Sequence, residues 1–233
     1  MPTLRRIGHK GADLIVPGNT PASFDAALQH GVDMIEFDVL PENRDDPDAG
    51  RLLLAHDYGH VDGAPTLEAG LAHLASSPFE GVELDVDLKL PGYEERVVSA
   101  LREHGLIERS LVSSCWMRSL VKIRALEPGL RLGWSVPRAH RDYTKSIVWL
   151  LPALSALAFM RRRLRGLAAG HLGEGRVDAV MAHYRLATPK LVQAVHDAGG
   201  ELYVWTVDDA DHIRRLEAMG ADAVITNDPR LFA

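Results

Sequence analysis

The stretch Asp33-Met34-Ile35-Glu36-Phe37-Asp38-Val39 alternates apolar and acidic residues with a period of two from Ile35 onward. Successive side chains of a β-strand point to opposite faces, so Glu36 and Asp38 share one face and Ile35, Phe37 and Val39 the other. Buried charge without a partner is costly, so the acidic face requires one. The link that follows, residues 40–50, is polar and turn-rich, and it leads to a short apolar run at 52–55. A link without a helix does not suit a parallel crossover, so 52–55 is expected to return antiparallel and carry His56 back over Glu36 and Asp38. Residues 81–89 repeat the alternation, with Glu83, Asp85, Asp87 and Lys89 on one face and Val82, Leu84, Val86 and Leu88 on the other. Side by side, the two strands gather five carboxylates and one ammonium.

Outward from these strands the chain alternates regularly. Strands are expected at 4–9, 33–39, 82–89, 111–114, 130–134, 177–181, 202–206 and 223–226. Helices are expected at 21–30, 66–76, 93–104, 118–126, 189–198 and 210–219. Eight parallel strands with helices between most of them make an α/β chain of the (β/α)8 TIM-barrel class, with one antiparallel strand added after the second. Such barrels carry their active sites at the C-terminal ends of the strands. His9, Glu36, Asp38, Asp87, Lys89, Ser114 and Trp205 all fall at or near such ends. No internal repeat or low-complexity linker interrupts the 233 residues, so 1–233 is expected to form one domain.

Composition narrows the function classes. Hydrophobic residues at 46% and charged residues at 25% suit a globular protein, and a net charge of −6 excludes nucleic acid as the expected partner. The lone Cys115 excludes an internal disulfide framework and suits a reducing compartment, so a cytoplasmic location is expected. His9 lies too near Met1 for a cleavable signal peptide ahead of it. Water access, Lys89 and a bound divalent cation are the available ways to hold the acidic cluster, and ligation by oxygen alone favours Mg²⁺ or Ca²⁺ over zinc. Glu83, Asp85 and Asp87 cannot all reach one ion, because same-face residues along a strand are about 6.6 Å apart. His9 and His56, on either side of the acids, are candidate proton carriers.

At these residues the chain resembles the glycerophosphodiester phosphodiesterase family. The family pattern is His-Arg-Gly, Pro-Glu-Asn-Thr, a Glu-x-Asp strand, a His-Asp pair and a later acidic-x-Lys strand. Here it reads His9-Lys10-Gly11, Pro17-Gly18-Asn19-Thr20, Glu36-Phe37-Asp38, His56-Asp57 and Asp87-Leu88-Lys89. Pro65-Thr66-Leu67-Glu68 matches a helix start, and Tyr203-Val204-Trp205-Thr206-Val207 and Ile225-Thr226-Asn227-Asp228-Pro229 match the closing strands. Four departures stand out. Lys10 replaces an arginine, Gly18 a glutamate and Asp87 a glutamate, and only seven residues separate Asp57 from Pro65, where relatives carry an insertion over the site.

The resemblance implies a phosphoric diester hydrolase that yields an alcohol and glycerol phosphate. It selects Glu36, Asp38 and Asp87 as metal ligands, with Asp85 the next candidate. His9 is assigned as base and His56 as acid, Lys10 and Lys89 as groups facing the phosphoryl oxygens, and Trp205 as a surface for the alcohol moiety. Three other functions compete: lysophospholipase D-like or sphingomyelinase D-like cleavage of a lipid phosphodiester, and a catalytically degenerate barrel that only binds. Residues 147–160 are almost wholly apolar and are followed by Arg161-Arg162-Arg163-Leu164-Arg165. These fourteen residues are too few to cross a bilayer, which takes about 20. They read either as a barrel helix with a basic last turn or as a lid or membrane-facing helix within 144–169. The second reading implies peripheral membrane contact through 147–165 and a lysophospholipid substrate.

Overall fold

A computed structural model describes residues 3–138 and 150–233. Among these residues nine strands run in the order β1 (Arg5–Gly8), β2 (Met34–Pro41), β3 (Leu52–Leu54), β4 (Glu83–Leu88), β5 (Ser110–Ser114), β6 (Arg131–Val136), β7 (Ala179–His183), β8 (Glu201–Trp205) and β9 (Ala223–Thr226). Seven helices accompany them: α1 (Pro21–Gln29), α2 (Leu67–Leu74), α3 (Glu94–Glu103), α4 (Met117–Leu126), α5 (Leu150–Gly173), α6 (Pro189–Asp197) and α7 (Ala210–Met219). Every strand except β3 pairs in parallel, and β1 closes the ring by bonding both β9 and β2. The result is a closed eight-stranded TIM barrel. β3 lies antiparallel on β2, with Val39 opposite Leu54 and Pro41 opposite Leu52.

Local chemistry explains the element ends. Thr20 caps α1 by accepting from the Ser23 N–H while the Ser23 hydroxyl accepts from the Thr20 N–H, and Pro21 sits at the first helical position, where its missing N–H costs nothing. Thr66, Thr188 and Asp209 cap α2, α6 and α7 in the same way through their side-chain oxygens. α7 ends on Gly220 in the left-handed conformation, where a side chain would be strained.

The alternation read from β2 holds throughout. Ile35, Phe37 and Val39 point outward into the large core between strands and helices, where Phe37 packs 5.7 Å from Phe24. Met34 points inward with Ile7, Leu111, Ala179, Met181, Tyr203, Ala223 and Ile225, and these fill the middle of the barrel. Gly133 faces this layer too, where a Cβ would lie 2.5 Å from the Met181 sulfur and would push that side chain aside.

One grouping changes. Glu83 does not join the acidic cluster at the upper end, although it shares a face with Asp85 and Asp87. It lies at the N-terminal end of the barrel, 3.4 Å from Arg5 and 3.1 Å from Arg131, and Glu201 and the Tyr203 hydroxyl complete that network. The reason is strand rise: Glu83 is four residues before Asp87, about 13 Å lower along β4. Two of the histidines on helix surfaces are paired. His73 pairs with Asp25 at 2.8 Å and His196 with Asp222 at 2.8 Å.

The apolar-and-basic segment forms part of α5. At 24 residues it is far longer than the other helices, which have 8 to 10. Residues 144–149 of the expected lid lie outside the described residues, and so do the side chains of 150–156. Leu164, Ala168 and Leu172 form the buried stripe, and Leu172 packs onto Gly200, where a Cβ would meet it at 2.3 Å. Among the described residues no helix is long and apolar enough to cross a membrane.

Candidate active site

The loop after β1 builds the first wall. A Cβ on Gly8 would come within 2.1 Å of the Gly11 carbonyl oxygen, and Gly11 itself is left-handed (φ 84°) against the Ser23 backbone. These glycines let the chain fold back over β2. The Lys10 N–H then donates to Glu36 Oε2 at 2.8 Å and the Gly11 N–H to the Glu36 carbonyl at 3.1 Å. The next loop delivers Asn19, also left-handed (φ 58°). Its side-chain amide donates to Asp38 Oδ2 at 2.9 Å, and its Oδ1 accepts from the Asp38 N–H at 3.0 Å.

Strand register places the acids. Glu36 lies opposite Asp85, and Asp38 opposite Asp87. Carboxylate oxygens of Glu36, Asp38 and Asp87 lie within 4.8 Å of one another. Lys89 sits among them, its Nζ against Asp38 Oδ1 and Asp87 Oδ2. Burial works against the charge on Asp38, yet Lys89 and His56 hold its carboxyl well below the usual range. Burial and the neighbouring Asp38 raise Glu36 well above it. Burial pushes Asp85 up to about 8, against the pull of Ser113 and Lys89. The Lys89 ammonium resists its own burial because Asp38 and Asp87 face it, and its pKa is raised.

The histidines flank this cluster in different environments. His9 Nε2 is 3.7 Å from Glu36 Oε2, and its Nδ1 is 2.5 Å from Asn227 Oδ1. The Asn227 amide nitrogen donates to Asp208 Oδ2 at 2.7 Å, which turns Oδ1 towards the imidazole. His9 therefore carries its proton on Nδ1 and presents a free Nε2. Burial lowers its pKa, against the raising influence of Asp38, which favours the neutral ring. His56 follows the antiparallel β3 and comes back with Nδ1 3.5 Å from Asp38 Oδ2 while about half its side chain stays exposed. Asp57 turns away to cap the next turn, accepting from the Gly59 N–H at 2.8 Å.

A cavity of about 770 Å³ opens on this end of the barrel, within the usual range for ligand pockets. His9, Lys10, Glu36, His56, Asp87, Lys89 and Trp205 all line it, and Asp38 is fully buried. The Trp205 indole N–H donates to the Met181 carbonyl at 2.8 Å, and its ring meets His183 edge-on at 5.2 Å. The Lys10 ammonium is 3.3 Å from Asp13. Asp13 also accepts from the Gly18 N–H at 2.9 Å, and a Cβ at Gly18 would lie 2.5 Å from its Oδ1. Asp13 thus occupies the space a side chain at 18 would need and brings a carboxylate of its own. Cys115 lines the cavity as well, with its thiol raised by burial and by Asp87.

Sequence reasoning passed over Asn19, Asp208 and Asn227 as site residues, although Asn19 and Asn227 lie inside quoted motifs. It also missed Arg44 and Arg138, which line the cavity from loops with no pattern to mark them.

The donor set fits a hard divalent cation: three oxygen ligands, two of them buried, with Lys89 seated between two of them. Two solved structures share the fold. A glycerophosphodiester phosphodiesterase of Agrobacterium tumefaciens matches with TM-score 0.70 and 21% identity over 99% of both chains. An Oleispira antarctica phosphodiesterase, solved with the product sn-glycerol-3-phosphate, matches with TM-score 0.72 and 21% identity over 97% of this chain and 94% of that one. A glycerophosphodiester phosphodiesterase of Caldanaerobacter subterraneus subsp. tengcongensis is 26% identical over 96% of this chain and 93% of its own length. One from Arabidopsis thaliana is 32% identical over 72% of this chain and 45% of its own. The family model for glycerophosphoryl diester phosphodiesterases matches residues 89–231, from Lys89 through Trp205 and Asn227, and the chain belongs to that family of phosphoric diester hydrolases.

Proposed function

We propose that residues 1–233 act as one catalytic unit that hydrolyses a glycerophosphodiester to an alcohol and glycerol phosphate, with one Mg²⁺ or Ca²⁺ held by Glu36, Asp38 and Asp87. The observation that carries this reading is His9, its Nδ1 held by Asn227 and its Nε2 3.7 Å from Glu36, in one cavity with His56 and the acidic triad. When bound, the cation supplies Lewis acidity towards phosphoryl oxygens and makes a nearby hydroxyl more acidic. His9 Nε2 accepts the proton of the attacking hydroxyl, which is either water, giving glycerol phosphate directly, or the substrate's own glycerol, giving a cyclic phosphate that water then opens with the two histidines exchanging roles. His56, exposed to the cavity beside Asp38, delivers a proton to the departing alkoxide. Lys89 and Lys10 offset charge that develops on the phosphoryl oxygens, Lys10 sharing its ammonium with Asp13. Trp205 offers its ring to the substrate's alcohol moiety.

The test is turnover of glycerophosphodiesters in EDTA, then with Mg²⁺ or Ca²⁺ restored, in the wild type and in Glu36→Gln. Loss in EDTA, recovery with metal and an inactive, folded variant support the reading. Full turnover in EDTA removes the metal from it.

Lysophospholipase D-like action on a lipid substrate is a second reading, favoured by one observation. Phe159 (65% exposed) and Met160 (40%) stand uncovered on α5 beside the exposed Arg162 and Arg163. Arg161 donates to the Arg185 carbonyl just after β7, so this part of α5 lies at the catalytic end of the barrel. Apolar side chains over an arginine collar suit a membrane surface. Nothing in the site favours a sphingomyelinase D-like reaction, and two histidines poised on an acidic triad speak against a barrel that only binds.

A further inference from the structure

Beyond the acidic cluster the cavity wall carries two more cations, Arg44 in the link between β2 and β3 and Arg138 just after β6. Neither forms an ion pair among the described residues. Each rests instead on an aromatic face: the Arg44 guanidinium lies 5.6 Å from the Tyr58 ring centre, and that of Arg138 lies 3.4 Å from the Trp116 ring centre. Both rings are themselves fixed. The Tyr58 hydroxyl donates to the Pro41 carbonyl at 3.0 Å, and the Trp116 indole N–H donates to the Lys89 carbonyl at 3.1 Å. Among the described lining residues the one acid outside the cluster, Asp57, is occupied by His60 at 2.7 Å. Two guanidiniums on the cavity wall are thus held on aromatic faces, with no carboxylate partner among the described residues.

Resting on the proposed phosphodiesterase reading, we infer that Arg44 and Arg138 form a second anion subsite, so that the preferred substrate's alcohol moiety carries a carboxylate or a phosphate of its own. The phosphodiester anion belongs at the acidic triad and its lysines, and the glycerol moiety is neutral. A further anion therefore has to come from the alcohol. The same geometry disfavours choline. A quaternary ammonium is bound by open aromatic faces, and on this wall, away from Trp205, Tyr58 and Trp116 are already covered by the chain's own guanidiniums, with Arg118 also 4.9 Å from Trp116. Two positive charges would also repel it.

Four matched glycerophosphodiesters test this, with the alcohol being glycerol, glycerate, glycerol phosphate or choline. In the wild type the glycerate or glycerol phosphate diester should exceed the glycerol diester in kcat/KM by about 10–100-fold, the range that charge-assisted hydrogen bonds support. The choline diester should fall below the glycerol one. Raising salt from about 0.05 to 0.5 M should shrink the preference in the unmodified enzyme, since exposed charges are screened. Arg44→Gln and Arg138→Gln should each reduce the anionic-to-neutral ratio, and Arg138→Lys should restore part of it. Which anionic diester leads tells carboxylate from phosphate. A choline diester turned over as fast as the anionic ones, or a ratio indifferent to salt and to both substitutions, overturns the subsite while leaving the phosphodiesterase reading intact. No turnover of any of the four overturns that reading, and the subsite falls with it.

Discussion

Asn227 Oδ1 lies 2.5 Å from His9 Nδ1, and the Asn227 amide is turned to that position by its own bond to Asp208. A residue from the last strand's end thereby sets which nitrogen of a first-loop histidine carries the proton, 218 positions away in sequence. Asn227→Leu should lower kcat by about 10–100-fold, the usual cost of losing an outer partner that orients an imidazole. Asn227→Asp would keep an acceptor but add a negative charge, which favours imidazolium. The acid limb of its kcat/KM profile should then move to higher pH. An unmoved profile would mean that His9 is not the titrating base.

His9→Ala and His56→Ala should each cost about 10²–10⁴-fold in turnover, as expected for a missing general base or acid. A substrate with an activated leaving group needs no proton on departure. It should therefore rescue His56→Ala and leave His9→Ala slow; rescue of the opposite variant reverses the assigned roles.

Lys89 is the internal counter-charge between Asp38 and Asp87. Removing one partner of a buried charge cluster typically costs about 3–5 kcal/mol, because the others are left uncompensated. Lys89→Met should melt well below wild type in EDTA and gain more than wild type on addition of Mg²⁺ or Ca²⁺. Equal melting temperatures in EDTA would show that Lys89 does not balance the acids.

Asp85 gives a pH dependence of stability with a definite sign. Its carboxyl is held up to about 8 in the folded chain, against an unfolded value of about 3.9. Between these values the folded state binds more protons, so the contribution is fully present below the unfolded pKa and is lost as pH rises through about 8. In EDTA, Asp85→Asn should melt higher than wild type at pH 8–9, with the gap closing towards pH 4. A constant gap across that window would count against a protonated Asp85.

If α5 meets a membrane, the wild type should sediment with vesicles containing anionic lipid and release them at high salt. Phe159→Ser with Met160→Ser should weaken that binding and lower turnover of lysophospholipids more than of soluble diesters. Absence of vesicle binding by the wild type would leave the lipid reading without support.

Much of this was legible in the chain itself. Strand alternation placed Glu36 and Asp38 on one face, and the helix-free link announced that His56 would return beside them; both hold because backbone geometry alone enforces a period of two and forbids a short parallel crossover. The barrel followed from the count and spacing of elements. The resemblance selects Glu36, Asp38 and Asp87, and strand spacing alone separates Glu83 from Asp87; only the tertiary structure decided what pairs with Glu83. Glu83 shares a face with Asp87, yet closure of the barrel draws Arg5 and Arg131 to it at the opposite end. The tautomer of His9, the seat of Lys89 between two carboxylates and the arginines resting on Tyr58 and Trp116 likewise lay beyond the sequence. Each depends on groups from distant loops meeting at a few ångströms. No local periodicity encodes that distance; it exists only once eight strands have closed on one another.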